Sequence, residues 1–440
     1  MSRDMLDVCS WVIETARKAG ADECKARISK NRFVEVEYRE KKPEKIKEAT
    51  TQRLDIDVYV NQRYSSQDTS DLRQESLKEF ILNAIKNTKL LEADPYRTLP
   101  DPSYYEGRAN IDLRISDPEY SGLTAEKRHD MVKEIEAACL QRGGDKIVSV
   151  TARVNDEFYE EAVMTSNGLE GHRESTECWA EAEATVQDEG DRRPTAYHWA
   201  GSRTLRDLPD PESVGRVAAE RAFDLLGAKK IDTETLPVII ENRNVRRILG
   251  GFMQGLNGRN IQQKRSFLAD RKGQKIGSDL FTLIDEPHIE GGFGSRLYDG
   301  DGFPTKKRIL IEAGVLKDFL VDWYYSRKLG WEPTSGDTTN LVIPPGKRSV
   351  KEIMKDLGRG IYITGFIGGN SNSTTGDASV GIDCHLFEDG ELVQPIAEMN
   401  IADNHLKFWH KLVEVANDPW PYSSWRMPSL VFTDVVVSGV

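Results

Sequence analysis

The sequence contains few of the residues that build disulfide frameworks and metal centres. Its 440 residues include five cysteines, which are scattered, odd in number and form no CxxC pair. This pattern is typical of reduced thiols, so it predicts free cysteines and a cytoplasmic location. Histidine is also sparse. No two of the seven histidines stand four residues apart, the spacing that places two metal ligands on one helix face.

Long hydrophobic runs are missing as well. No segment approaches the roughly 20 apolar residues that a membrane-spanning helix needs. Near the start of the chain, Asp4, Asp7 and Glu14 interrupt the apolar positions, which predicts an amphipathic helix ending at Gly20 rather than a signal peptide. The formal net charge is −12, from 60 basic and 72 acidic residues. An acidic balance argues against a nucleic-acid surface, which requires a basic stripe.

The length and the hydrophobic patterns predict two domains. Alternating runs such as Leu54–Val60 are typical of half-buried strands, and Asn167-Gly168 indicates a tight hairpin. Glycine becomes more frequent from Leu236 onward, where short strand-like runs dominate. We therefore predict an α+β fold, with an N-terminal α+β domain containing an antiparallel sheet (1–232) and a C-terminal β-rich, barrel-like domain (233–440). The charged segment Lys41–Lys47 is interpreted as a solvated loop.

Most standard catalytic motifs are absent. There is no GxSxG sequence, and the position of the first P-loop glycine is occupied by Leu341. The segment Asp299–Gly302 is interpreted as a tight acidic turn rather than a calcium loop, because Phe303 stands where the next acidic ligand belongs. His405 and His410 are five residues apart, and we interpret them as a solvated face rather than a metal site.

One glycine-rich segment allows two interpretations. Gly368, Gly369 and Asn370 precede a run of small hydroxyl and amide residues that ends at Asp377. The segment is either a turn between strands or a stretch of exposed backbone amides that lines a peptide groove.

The order of motifs in the second half resembles the TldD/PmbA family of peptidases. The apolar run Leu236–Ile240 precedes the helical segment Arg247–Gly258. The blocks that follow share this order with the family. They are Ser266–Leu268, Gly273–Ile276, Tyr298–Thr305, Gly365–Asn370, Thr375–Asp377, Val415–Asp418 and Pro428–Leu430.

This resemblance implies cytosolic peptide cleavage by two kinds of paired subunit. One kind holds zinc through HExxxH and a downstream cysteine, with the glutamate as general base. In this sequence the ligand positions fall on Leu249 and Gln254 and the base position on Gly250, and no cysteine lies between residues 417 and 428. The chain therefore resembles the PmbA (TldE) kind of subunit, without catalytic residues, metal ligands or a cofactor of its own.

The expected function is that of a non-catalytic subunit. It would pair with an HExxxH-containing TldD-like subunit, which carries the zinc, and would bind unfolded peptide by strand addition, with Gly368, Gly369 and Asn370 as candidate groove residues. The isolated chain could also form a homodimer across the surface meant for its partner. Two alternatives stay open. One is a peptidase that acts alone, through a relocated metal site or without metal. The other is a peptide-binding or regulatory module, as the family's gyrase-modulator label implies.

Overall fold

The computed structural model describes residues 2–439, with side chains from residue 4 onward. The helices are α1 (Ser2–Lys18), α2 (Gln74–Thr88), α3 (Ala125–Gly143), α4 (Pro211–Phe223), α5 (Asn242–Met253), α6 (Gly258–Gln262), α7 (Trp323–Leu329), α8 (Val350–Leu357) and α9 (His405–Phe408).

The strands of the N-terminal half are β1 (Glu23–Arg39), β2 (Lys42–Val60), β3 (Arg63–Thr69), β4 (Ile147–Thr165), β5 (Glu170–Val186) and β6 (Thr195–Ser202). Those of the C-terminal half are β7 (Glu234–Ile240), β8 (Leu283–Asp285), β9 (Arg308–Glu312), β10 (Val315–Leu316), β11 (Leu341–Val342), β12 (Arg359–Ser371), β13 (Asp377–Glu388), β14 (Glu391–Asn404), β15 (Leu412–Val415), β16 (Trp425–Arg426) and β17 (Leu430–Gly439).

The N-terminal half is built on one antiparallel sheet in the order β3-β2-β1-β4-β5-β6. Its long strands follow the alternation of the sequence, because every second side chain points to the same face. Ala26, Ile28 and Val36 of β1 share one face and are buried beneath helices, the first two by α1 and α2 and the third by α3. The predicted Asn167-Gly168 hairpin joins β4 to β5.

The interpretation of Lys41–Lys47 as a loop is wrong. The turn consists of Glu40 and Lys41, whose φ angles of 53° and 60° fit a two-residue hairpin. From Lys42 the chain already pairs with β1 as the outer strand β2. Charged residues are compatible with a strand here because β3 pairs only with β2 residues 54–60, so the first part of β2 is an edge, where lysines oppose further pairing.

The C-terminal half contains a closed five-stranded barrel. Its strands follow the order β14-β13-β12-β7-β17, and β17 pairs back onto β14 through Met399–Ile401. A smaller sheet, β10-β9-β8-β11-β16, lies beside it. The α+β class and the barrel-like second half are confirmed.

Helix α5 packs one face into the barrel core. Its buried side chains belong to the same apolar cluster as the barrel strands, and they are Val245, Ile248, Leu249, Phe252 and Met253. The opposite face carries Arg246 and Arg247, which are exposed. Among the helices of residues 2–439, none has the length and apolar character that crossing a membrane requires.

Candidate functional site

Helix α5 lies alongside strand β12 and contacts it at three successive levels. Near the helix start, the Asn244 side-chain amide donates to the Thr364 carbonyl at 2.8 Å. One turn later, Arg247 Nη2 donates to the Gly368 carbonyl at 2.5 Å. Two turns from the start, Gly251 passes Ser371 so closely that an added Cβ would lie 2.7 Å from its Oγ. The helix and the strand therefore form the two walls of one site.

The β12 wall is only partly covered by its neighbour. Strand β7 pairs in parallel with β12 through Ile361–Ile363 and then ends. Beyond that point β12 keeps only its pairing with β13, residues 364–366 are half-exposed, and residues 367–371 are exposed. Ile367 is 55% exposed, which is unusual for a large apolar side chain on a strand. An edge of this kind offers main-chain groups to a further strand.

Gly368, Gly369 and Asn370 lie inside β12, and the turn between strands comes later, at residues 372–376. Gly368 and Gly369 have φ angles of 59° and 90°, which favour glycine. They interrupt the pairing with β13, because Ile367 pairs with Gly381 and Asn370 resumes with Ser379. The segment is therefore a β-bulge at the exposed end of β12, and a bulge bends the strand at that point.

The three positions assigned to zinc chemistry do not come together as a metal site. Leu249 is fully buried in the barrel core, whereas Gln254 is exposed beyond the last turn of α5. Gly250 is half-buried, and no atom lies within 4 Å of the place where its Cβ would be. A buried hydrocarbon, an absent side chain and a solvated amide cannot coordinate zinc together. The residues of this chain therefore do not fit the zinc site that the family resemblance implies.

A serine–histidine pair closes the end of the site. Ser371 Oγ and His405 Nε2 are 2.9 Å apart, and both face Gly251 of α5. His405 is 2% exposed, stacks on Phe267 and meets Phe252 edge-on. The interpretation of His405 as part of a solvated face is wrong, because these two aromatic rings enclose its imidazole.

Burial sets the protonation of this histidine. Desolvation lowers the pKa of His405 to about 4, and the charge of Asp403 opposes that shift only in part. The imidazole is therefore neutral near pH 7, where Nε2 accepts the hydrogen bond of the Ser371 hydroxyl if Nδ1 carries the proton. No carboxylate among residues 2–439 accepts a hydrogen bond from the His405 ring.

A surface depression of about 880 Å³ opens beside this pair. Its lining is mostly small and polar, and the residues are Asn370, Ser371, Asn372, Ser373, Asp377, Ala378, Ser379, Ala402, Asp403, Asn404 and Lys407. The predicted groove residue Asn370 therefore lies at its wall. Gly368 is tied instead to Arg247, on the α5 side of β12.

The N-terminal half holds the start of α5. Glu241, immediately before the helix, forms a two-point ion pair with Arg221 of α4, at 2.6 and 2.9 Å. Arg243 lies over the rings of Tyr197, Trp199 and Trp420, with centroid distances between 5.0 and 5.7 Å. The helix that forms one wall of the site is thus positioned by side chains of α4 and β6 and by Trp420.

One other group of ligand-type side chains is present in residues 2–439. Glu160, His172 and Glu174, on β4 and β5, bring one ligand atom each within 4.8 Å of the others. His172 Nε2 lies 3.2 Å from the buried Glu160 carboxylate, which already provides a partner for both groups. This cluster lies on the N-terminal sheet, whereas α5 and β12 belong to the C-terminal half.

Family models identify the architecture. The central domain of the PmbA/TldA metallopeptidases matches residues 118–226, and their C-terminal domain matches residues 233–439. Metalloprotease PmbA of Escherichia coli O157:H7 is 26% identical over 423 residues, which cover 95% of this chain and 93% of that protein. The chain belongs to the PmbA/TldD family of metallopeptidases.

Solved structures agree with this assignment. A protein from Bacteroides thetaiotaomicron, described as a candidate modulator of DNA gyrase, is 35% identical with a TM-score of 0.96, over 99% of this chain and 98% of that one. TldE from Thermococcus kodakarensis shares the fold, with 22% identity and a TM-score of 0.87 over 98% of this chain and all of that one.

Proposed function

We propose that this chain is the zinc-free subunit of a cytoplasmic, heterodimeric TldD/TldE-type peptidase that cleaves or matures unfolded peptides. Leu249 and Gly250 of α5, and Gln254 directly after it, stand where a catalytic relative carries two histidines and a glutamate. The zinc and the general base then belong to an HExxxH-containing partner subunit. The contribution of this chain is to bind extended peptide and to complete the chamber around it.

The observation that carries the proposal is the end of β12 that no strand pairs with on the α5 side, where α5 contacts it through the side chains of Asn244 and Arg247 and at Gly251. The pairing of β7 with β12 ends at Ile363, while β12 continues for eight further residues. A peptide added along this edge gains main-chain hydrogen bonds that do not depend on its sequence, and alternate side chains meet the surface. The exposed side chain of Ile367 offers an apolar contact to such a peptide, and the open space beside Gly250 of α5 leaves room for the peptide's side chains.

Arg247 has a specific part in this arrangement. Its guanidinium donates to the Gly368 carbonyl, the kind of acceptor that the amide of an added strand requires. In the free subunit the arginine therefore satisfies a main-chain group that would otherwise depend on water. A bound peptide would replace that contact with its own N–H.

Peptide binding by the isolated chain tests this function. Fluorescence anisotropy of a labelled unstructured peptide is measured with wild type, with Ile367→Ser, and with Val393→Ser as a control at a similarly exposed apolar residue (49%) on β14. We expect Ile367→Ser to weaken binding by about fivefold, on the order of 1 kcal/mol. The control should bind as wild type does.

A second arm tests the strand geometry. Methylating alternate backbone nitrogens of the peptide removes the donors on one edge and should abolish binding, whereas methylating the other set should leave it largely unchanged. Equal losses for both sets, or equal losses for Ile367→Ser and Val393→Ser, would show that the peptide does not add to β12.

The serine–histidine contact favours a second candidate, a peptidase that needs no metal. In this reaction Ser371 Oγ attacks the peptide carbonyl carbon, and its proton passes through His405 Nε2 to the leaving amine as the C–N bond breaks. Water then hydrolyses the seryl ester, with its proton passing through His405 Nε2 back to Ser371 Oγ. The absence of a carboxylate partner for His405 within residues 2–439 makes this the weaker proposal. Labelling by a fluorophosphonate in wild type and its loss in Ser371→Ala would establish the activity.

A regulatory module without peptidase function is the remaining alternative. It predicts peptide binding that persists while no combination of subunits cleaves. The assembly itself is tested by sedimentation of the chain alone and mixed with an HExxxH relative. A heterodimer in the mixture supports the proposal, and two unchanged species count against it.

A further inference from the structure

A second cavity lies between the two halves of the molecule, apart from the Ser371 depression. It has a volume of about 320 Å³ and is enclosed by β6 and α4 on one side and by α5, β12 and β13 on the other. Its polar lining includes Arg221, Asp224, Glu241, Arg243, Asp383 and His385. Neither the zinc positions nor the proposed peptide edge accounts for this group of charged residues.

The cationic side chains of the cavity are already satisfied. Arg221 is held at two points by Glu241 and also donates to the Thr364 carbonyl at 3.2 Å. Arg243 is enclosed by the aromatic rings described above. Glu241 balances the charge of Arg221, whereas the positive charge of Arg243 lies against aromatic rings.

The hydrogen-bond acceptors of the cavity lack partners. His385 is 4% exposed, and its Nε2 donates to the Asp224 backbone carbonyl at 2.8 Å. A carbonyl can only accept, so Nε2 carries a proton, and in the neutral imidazole Nδ1 is then an acceptor. That buried Nδ1 has no hydrogen-bond partner. Within residues 2–439, the carboxylates of Asp383 and Asp224 also make no hydrogen bond or ion pair.

The surroundings of these acceptors favour positive charge. Asp383 is half-buried, and desolvation raises the pKa of its carboxyl, so a cationic partner would stabilise its ionised form. Asp224 is exposed at the rim and caps the C-terminus of α4, the helix end that attracts cations. An acceptor imidazole beside two unpaired carboxylates suits a group that donates several hydrogen bonds and carries positive charge.

We propose that this interdomain cavity binds a primary ammonium group, contributed by the amino terminus of a peptide that lies parallel to β12. The peptide part rests on the proposed function. Thr364, Gly365 and Phe366 line the cavity and follow Ile363, the last residue of β12 that pairs with β7. The carbonyl of Thr364 is already held by Asn244 and Arg221, which leaves the backbone from Gly365 onward for an added strand. A parallel strand on this edge continues the direction of β7 and places its amino terminus at Thr364. The opposite direction would bring a terminal carboxylate against Asp383, which repels it.

Three ligands test whether the cavity binds an ammonium group and whether that group belongs to a peptide or to a small amine. They are an unstructured peptide with a free amino terminus, the same peptide acetylated at that terminus, and 1,4-diaminobutane. The test variant is Asp383→Asn. Asp389→Asn is the matched control, since Asp389 lies in the exposed β13–β14 turn at a φ of 48°, which asparagine tolerates. Asp224→Asn at the rim is a second test variant should Asp383→Asn fold poorly, and thermal unfolding checks all three.

We expect acetylation to weaken peptide binding to wild type by about tenfold, the scale of a charge-assisted contact. Asp383→Asn should reduce that preference to less than about threefold, whereas Asp389→Asn retains it. Diaminobutane should compete with the free-amine peptide and not with the acetylated one.

Other results would overturn the inference in distinct ways. In one such result the free and acetylated peptides bind equally, and diaminobutane binds to wild type but not to Asp383→Asn. The cavity would then bind small amines, and the proposal that it binds a peptide amino terminus would be wrong. No preference for any ammonium ligand overturns the cavity assignment while the strand proposal stands. Absence of all peptide binding overturns the strand proposal, and diaminobutane then still reports on the cavity.

Discussion

Ser371 and His405 share a hydrogen bond of 2.9 Å at the point where Gly251 brings α5 against them. The two residues are 34 positions apart and belong to the end of β12 and the start of α9. Helix α5 reaches this pair only because residue 251 has no side chain. The contact fixes the exposed end of β12 relative to the helix, and with it the width of the proposed peptide groove.

Adjacent glycines in α5 should respond in opposite ways to alanine. In Gly251→Ala the new methyl group would lie 2.7 Å from Ser371 Oγ and 3.0 Å from His405 Nε2, so we expect a loss of about 1–3 kcal/mol in the free energy of unfolding. Gly250→Ala meets no atom within 4 Å and should gain about 0.5–1 kcal/mol from the reduced freedom of the unfolded chain. Urea unfolding measures both, and a similar loss in the two variants would contradict the packing described.

The buried imidazole of His405 should make stability fall with acidification. Its folded-state pKa of about 4 lies below the unfolded value near 6.5, so the unfolded state binds the extra proton between these values. The stability that it contributes is complete above about pH 6.5 and decreases as pH falls towards 4, by at most about 3 kcal/mol. Unfolding of His405→Gln across this range should show a flatter pH dependence than wild type.

His410 serves as the control for this experiment, since it is exposed and lies five residues further along the chain. His410→Gln should retain the slope of wild type. Part of the slope remains in His405→Gln as well, because burial and the neighbouring Arg243 also lower the pKa of His198, to about 4. A slope identical to wild type in His405→Gln would mean that His405 is not buried in its neutral form.

The ion pair that anchors α5 should be costly to break from one side. Replacing Arg221 by Met leaves the Glu241 carboxylate buried without its partner, and we expect a loss of about 3–5 kcal/mol. Adding Glu241→Gln to Arg221→Met should recover part of it. The exposed two-point pair of Arg359 and Glu234 is the control, and Arg359→Met should change stability little. Chemical unfolding of the three variants and wild type is the measurement, and equal losses in Arg221→Met and Arg359→Met would contradict the anchoring role of the buried pair.

Arg247 should compete with peptide for the Gly368 carbonyl. Arg247→Met removes the competing donor, so we expect peptide affinity to rise several-fold, on the order of the 1 kcal/mol of one hydrogen bond. Arg246→Met is the matched control, because Arg246 is the exposed neighbour and lies over Trp425. A loss of affinity in Arg247→Met would show instead that the arginine orders the strand for binding.

The elements that could be predicted from the sequence are those set by local pattern. Alternation identified Leu54–Val60, which is the inner part of β2, because one face of that stretch is buried. The Asn-Gly pair located the β4–β5 hairpin through its backbone preference. The charged start of β2 was missed because pairing with β1 alone holds it in the sheet, and its own residues carry no apolar face.

The candidate site was predictable only in part. The sequence alone shows that both histidine ligand positions, Leu249 and Gln254, and the general-base position, Gly250, lack the required side chains. The role of His405 could not be, because its burial depends on Phe252 and Phe267, which are distant in sequence. The interdomain cavity was missed for the same reason, since His385 and Asp224 meet across 161 residues. Cys384 packs in the barrel core and its neighbour His385 lines the cavity on the other face of β13, an arrangement that adjacent strand positions allow.

The most direct test of the central claim is hydrolysis of an unstructured peptide by this chain alone and mixed with an HExxxH relative, each with and without a chelator. We expect no cleavage by the chain alone and chelator-sensitive cleavage in the mixture, at a rate above that of the relative by itself. Cleavage by the chain alone would contradict it, and its persistence with chelator and loss in Ser371→Ala would place the activity at the serine–histidine pair.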